Sequence, residues 1–275
     1  MNTSPEFHLT DSELRVLCTF FLSLPLPPLA SVVGPPAEHE QSMDAYLEHA
    51  AQGLVAKGFV QQNQEGNIGV SAELAETLRT AAYCDQYTIL SWHERGHSPR
   101  FLAFYRWEGN ITAHEITPQG EHRFWQPQEQ DMGYTQLEGL LTKAVPGTDG
   151  VRLQVSKENW ERLLAARLAQ TGSLADVWPA SEEEISADVR RLASDVLEAP
   201  WVISAQVVYD SLSNKGEVAT FVLGEKTNWL VTLGHAIEGR EPWMWALEVR
   251  REALAHSARA MFAPLFASAA GEGES

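Results

Sequence analysis

Residues 185–233 read ISADVRRLASDVLEAPWVISAQVVYDSLSNKGEVATFVLGEKTNWLVTL. The segment reads as a helix stopped by Pro200, followed by strands at Val202–Tyr209, Glu217–Leu223 and Trp229–Leu233 with polar turns between them. Residues 70–116, VSAELAETLRTAAYCDQYTILSWHERGHSPRFLAFYRWEGNITAHEI, repeat that layout. Both segments open on a β-branched residue, Ser, Ala and an acid: Val70-Ser71-Ala72-Glu73 and Ile185-Ser186-Ala187-Asp188. Both continue from a helical run into an apolar strand, an aromatic strand and a third strand. One unit used twice is the expectation.

Working outward, Thr10-Asp11-Ser12-Glu13 is a helix start, with Thr10 as cap and Glu13 at the third helical position. Leu14, Leu17, Cys18, Phe21 and Leu22 follow at helical spacing until Pro25 and Pro27 end the run, and Ser31–Glu40 is expected as a loop. A second helix is expected over Met43–Lys57, closed by Gly58. Phe59-Val60, a turn at Gln64–Asn67 and Ile68–Val70 outline a winged-helix wing. Ser71 opens a third helix. In the first meander His93–Pro99 reads as a polar turn, and Gln119–Trp125 as a possible fourth strand before a helix at Tyr134–Leu141. Pro146–Gly150 is the main linker signal. Beyond it Ser156 caps a helix, Ser181–Glu184 reads as the cap of the next, Pro242–Leu247 as a short strand and Glu248–Phe266 as the closing helix.

The expected class is α+β: an internally duplicated, pseudo-twofold fold with a central antiparallel sheet flanked by helical bundles. Its halves are expected at 1–146 and 151–266, with 267–275 a frayed tail.

Charge narrows the function. Lys and Arg number 20 against 37 Asp and Glu, a formal net charge of −17. Nucleic-acid phosphates and anionic membranes both call for clustered cations, so neither is an expected partner. The helix MDAYLEHAAQGLVAK has a single Lys and the wing QQNQEGN none, which argues against DNA recognition. Two cysteines, Cys18 and Cys84, form no framework, and MNTSPEFHLT, without a basic or an apolar run, is not expected to act as a signal peptide. A cytoplasmic setting is expected.

Catalytic spacing is missing. His93-Glu94-Arg95-Gly96-His97 has two histidines at i, i+4, but that spacing grips a metal only on a helix, and this stretch reads as a solvated turn. The glycines at 53, 58, 234 and 239 match no phosphate loop, and no GxSxG or SxxK occurs. His114, His122, His235 and His256 are scattered. The expectation is a non-enzyme with no cofactor and no metal. Nine tryptophans are many for this length; packing in the core between sheet and helices is the default reading for them, with a place at a protein interface as the alternative. Trp107 and Trp229 sit beside tight turns and Trp243 on a short strand, so with Arg95 they are the expected partner-binding residues.

The stretches LTDSELRVLCTFFLSLPLPPLA (9–30), LVAKGFV (54–60) and IGVSAELAETLRTAAY (68–83), with the pattern repeated past Pro146–Gly150, resemble EspG-type proteins associated with ESX (type VII) secretion. The resemblance implies a pseudo-twofold α+β fold and a cytoplasmic chaperone that binds helical-hairpin substrates of the PE–PPE kind. That family's late strands usually hold Asp-Thr and then Gly-Arg-Tyr, whereas here the stretch is Gly224-Glu225-Lys226-Thr227-Asn228-Trp229. No binding residue is carried over. The expected partner is another protein, helical in character; the alternatives are a winged-helix transcriptional regulator or an enzyme of unassigned chemistry.

Overall fold

A computed structural model describes residues 5–32, 43–62, 68–127, 132–169, 186–213, 215–234 and 243–271. The class is α+β, with a ten-stranded antiparallel sheet. The chain divides into two compact units. One comprises Met1–Ile89, Arg100–Met132 and Val208–Lys215; the other comprises Leu90–Pro99, Gly133–Val207 and Gly216–Ser275.

The first unit opens with β1 (Glu6–Leu9) and α1 (Asp11–Val16), which runs into a π-helical turn at Leu17–Leu22. The capping box forms as the sequence predicts: the Glu13 amide donates to Thr10 Oγ1 at 3.2 Å and the Thr10 amide to Glu13 Oε2 at 2.7 Å. Then come α2 (Pro28–Val32), α3 (Met43–Ala56), the hairpin β2 (Val60–Gln62) and β3 (Ile68–Val70), and α4 (Ala72–Ala82). Strands β4 (Gln86–Glu94, to Ile89), β5 (Arg100–Trp107), β6 (Asn110–Ile116) and β7 (His122–Trp125) follow in the sheet order β1-β7-β6-β5-β4. Leu14, Leu17, Leu54, Leu74, Leu78, Tyr105 and Phe124 are buried in one core. The Glu13 carboxylate is itself buried, against Gly53 of α3, and receives Lys57 Nζ at 2.7 Å. A Cβ at position 53 would overlap Glu13 Oε1. Gly53→Ala is therefore expected to lower stability by about 1–2 kcal/mol in urea unfolding, although alanine favours a helix interior over glycine by about 1 kcal/mol. An increase would show that Glu13 relocates freely.

The second unit holds α5 (Met132–Leu141, from Gly133 on), β8 (Arg152–Ser156), α6 (Lys157–Ala169), α7 (Ala187–Glu198), β9 (Trp201–Asp210, to Val207), β10 (Lys215–Leu223, from Gly216), β11 (Asn228–Leu233), β12 (Trp243–Val249) and α8 (Arg251–Gly271). Its strands run β9-β10-β11-β12-β8. Trp160 and Leu163 of α6 and Leu192, Ala193 and Val196 of α7 bury against Val222, Trp229, Val231 and Ala246. Pro146–Gly150 lies within this unit. Arg251 N donates to Pro146 O, and the Asn228 amide reaches Val145 O at 2.8 Å.

Both stretches have one connectivity: strand, capped helix, then further on helix, four strands, helix. The orders β1-β7-β6-β5-β4 and β8-β12-β11-β10-β9 correspond strand by strand.

Several readings change. β1 and β8 were not anticipated. Each is a four- or five-residue terminal strand with few buried side chains, below what alternation can signal. Ser31 and Val32 are helical, in α2. His93 and Glu94 extend β4 instead of entering a turn, which occupies Arg95–Gly96. The cap of α7 is Ser186, which accepts from Val189 N at 3.3 Å; Ser181–Glu184 lies outside the described residues. So do the wing turn at Gln64–Asn67 and His235. Helix α8 extends to Gly271, past the expected end at Phe266, and 272–275 are outside the described residues.

Candidate functional site

Three turns of the first unit meet at one end of its strands. The α4–β4 connection places Tyr83 and Asp85 beside the β5–β6 hairpin, where Asp85 N donates to Arg106 O at 3.0 Å. The 211–213 turn is fastened to the same connection: Ser211 N donates to Asp85 O at 2.9 Å and Ser211 Oγ to Cys84 O at 2.8 Å. Apolar side chains stand out from this stitched backbone. Leu212 is 98% exposed and Tyr83 47%. The half-buried Trp107 ring lies 6.0 Å from that of Tyr83. Exposed Asp85 and Glu108, with the half-buried Asp210, supply carboxylates around them. The Ser213 hydroxyl and amide both bond Asp210 and hold its carboxyl below the usual range. Apolar side chains on turns that also carry carboxylates suit an apolar partner with basic flanks.

The hairpin at the tip is strained. Trp107 pairs with Asn110, and the two residues between, Glu108 and Gly109, have φ of 47° and 78°. This is the two-residue primed turn that fits strand twist and favours Asn-Gly. Glutamate resists positive φ, so Glu108→Asn is expected to raise stability by about 0.5–1 kcal/mol, read from the urea midpoint. A loss would mean that the Glu108 side chain makes a compensating contact.

The expected partner-binding residues separate. Trp107 belongs to the tip. Trp229 does not face outward: it is fully buried at the centre of the second unit, its indole N–H donating to Asp195 Oδ2 at 2.9 Å. Proximity to a turn misled here, because β11 is covered on both faces and its first four residues are all buried. Trp243 is half-buried with its indole against Gly234, where a Cβ would collide with the ring. Arg95 is exposed and donates from Nη1 to Glu198 O at 3.2 Å. Tyr83 and Leu212 were missed. Leu212 had a signal, as the lone apolar residue in the turn Ser211-Leu212-Ser213.

The histidines, scattered in sequence, form a constellation. Leu29 N donates to Tyr105 Oη at 3.1 Å, and Tyr105 Oη lies 3.1 Å from His114 Nδ1. His114 Nε2 lies 2.9 Å from His122 Nδ1, and His122 Nε2 is 3.6 Å from Asp11 Oδ1. Asp11 Oδ2 accepts from Arg15 Nε at 2.7 Å. The register explains the assembly: His114 pairs with Phe124 and Ile116 with His122, so the two histidines are diagonal neighbours on one face. His114 is sealed and stacked on Phe124, 4.1 Å between centroids. Burial, then the neighbouring His122, holds His114 well below the ordinary histidine range, and burial lifts the Tyr105 phenol. This chain of bonds has no exposed nucleophile. Burial drives the Cys18 and Cys84 thiols up to about 12. Among the described residues no three His, Cys, Asp or Glu side chains are grouped to hold a metal ion.

A scan of protein-family models gave no match, and a comparison with curated protein sequences gave none either. Solved structures did match. The Mycobacterium tuberculosis type VII secretion system chaperone EspG5, solved in complex with a PE25–PPE41 dimer, aligns over 94% of this chain and 96% of its own, with a TM-score of 0.55 and 10% identity. The chain shares the fold of a secretion chaperone. At that identity the likeness to EspG5 lies in the fold. Among the described residues no helix is long and apolar enough to cross a membrane.

Proposed function

We propose that the chain is a non-enzymatic, cytoplasmic chaperone or adaptor, a divergent EspG-type protein with an internal duplication. It would bind a helical protein partner, of the helical-hairpin kind exported by type VII secretion. The observation that carries this reading is the three-turn tip, where Tyr83 and Leu212 stand exposed and Trp107 half-buried on hydrogen-bonded turns. A rigid backbone carrying aromatic and aliphatic anchors can receive the apolar end of a helical pair with little ordering loss. The fold likeness to a chaperone supports it, and the acidic balance suits a carrier that stays soluble while presenting apolar surface.

The DNA-binding reading has little to rest on. Lys57, the cation closing the wing helix, is spent on Glu13 Oε2 and the His8 carbonyl. The remaining exposed positions there include Glu48, His49, Gln52 and Val55.

The experiment is co-expression with each small helical protein encoded beside this gene, followed by size exclusion with light scattering. A stoichiometric complex whose association slows as salt rises supports the reading. A chain that elutes alone in every pairing, or a complex with duplex DNA at low salt, contradicts it.

A further inference from the structure

The turn that carries Leu212 joins β9 to β10, yet Val208–Lys215 belongs to the first unit. The β4–β5 turn does the converse, since Leu90–Pro99 belongs to the second unit. The two turns are fastened alike. Ser211 N donates to Asp85 O at 2.9 Å, in the connection that enters β4, and Arg95 N donates to Pro200 O at 2.9 Å, in the connection that enters β9. In both the side chain of the fastening residue adds a bond: Ser211 Oγ to Cys84 O at 2.8 Å, and Arg95 Nη1 to Glu198 O at 3.2 Å. Strands β4 and β9 hold corresponding places in their orders, so this fastening is one device made twice. The residue that follows it differs. After Arg95 comes Gly96, at a φ of 84°, which presents no side chain. After Ser211 comes Leu212, 98% exposed. A side chain so exposed has almost no packing to set its direction, and the backbone on either side must set it. Ser211 does so on one side. On the other, Ser213 closes a turn on Asp210, donating its amide to Oδ1 at 3.1 Å and its hydroxyl to Oδ2. An apolar anchor fixed before contact binds with less ordering loss than one that must be fixed on contact.

We infer that Ser211 is a positioning residue for partner recognition: its hydroxyl, with the Asp210–Ser213 turn, holds Leu212 in the direction in which the tip receives an apolar helical surface. This rests on the tip as the binding site and names the group that presets it.

The test has two arms in the full-length chain. In the first, a nitroxide is attached at Leu212→Cys and its motion is read by electron paramagnetic resonance. Burial, which drives the Cys18 and Cys84 thiols up to about 12, keeps those two unlabelled. An ordered spectrum is expected, gaining a mobile component with Ser211→Ala and keeping its order with Ser211→Thr, which retains the hydroxyl. A control label at Leu168→Cys on α6 should not respond. A spectrum at 212 indifferent to Ser211→Ala overturns the inference, as does loosening at both labels or equal loosening by Ala and Thr. In the second arm the probe is a dansylated, amidated amphipathic helix of leucine and lysine, followed by fluorescence. Ser211→Ala should weaken its binding about fivefold, the worth of one hydrogen bond, and Ser211→Thr should stay within about twofold. Losses at Trp107→Ala and Leu212→Asp with none at Ser211→Ala overturn the inference and leave the tip as the binding site. No binding of the probe, or binding indifferent to all three substitutions, contradicts the tip reading itself, and the inference falls with it.

Discussion

Lowering the pH from 7.5 to 5.0 is expected to destabilise the fold through His114. His114 titrates near 6.5 when unfolded, and burial holds its folded value well below that. Between the two values the unfolded chain takes up a proton that the folded chain refuses. Stability is therefore complete above about pH 6.5 and falls as the pH drops, by about 1.4 kcal/mol per unit for each such group. His93, held low by burial and then by the Arg167 charge, acts in the same direction. His8 opposes it. Hydrogen bonds that His8 donates to Glu121 and Glu6 raise its folded value against burial, so its contribution is present below 6.5 and is lost as the pH rises. That contribution is small, since His8 and both acids are well exposed. Asp11, pushed up by burial but held below its ordinary value by bonds to His122 and Arg15, matters only at lower pH. Urea unfolding at the two pH values measures the loss, and His114→Gln should flatten the slope by about one proton's worth. Constant or rising stability toward pH 5.0 would contradict the buried neutral assignment.

The second large effect concerns the tip. Trp107→Ala is expected to weaken partner binding about thirtyfold or more, the loss of a central aromatic anchor worth about 2 kcal/mol or above. Leu212→Asp should do at least as much, because a charge in a desolvated contact is penalised while the free chain, where Leu212 is 98% exposed, barely notices it. Trp243→Phe should leave affinity within about twofold, since that ring packs against Gly234. Isothermal titration with the co-purified partner decides it. Equal losses at Trp107 and Trp243 would place the contact elsewhere.

What was legible in the sequence follows from how locally each feature is encoded. Thr10 and Glu13 announce α1 because the capping box is complete within four residues. The helix-to-meander layout was readable twice over because its turns fall at Gly, Asn and Ser. β1 and β8 pair only at long range, Phe7 with Phe124 and Val155 with Met244, and four or five residues of alternation do not distinguish a strand from a loop. The tip was half legible. Trp107 stood beside a Glu-Gly-Asn turn, whereas Tyr83 ended a helix and Leu212 lay over a hundred residues further on. Trp229, beside an equivalent turn, proved to be core because Asp195 of α7 reaches its indole. The Tyr105–His114–His122–Asp11 relay was hidden for the same reason: only the β6–β7 register and the entry to α1 bring its members together.

The central claim, that this fold holds a protein partner at its three-turn tip, is tested most directly by site-specific photo-crosslinking. A benzophenone side chain is placed at position 212, and as a control at position 168, where Leu168 is 49% exposed on α6. In the co-expressed complex the chain labelled at 212 is expected to crosslink to the helical partner and the chain labelled at 168 to remain uncrosslinked. Crosslinking from 168 with none from 212 would contradict the account.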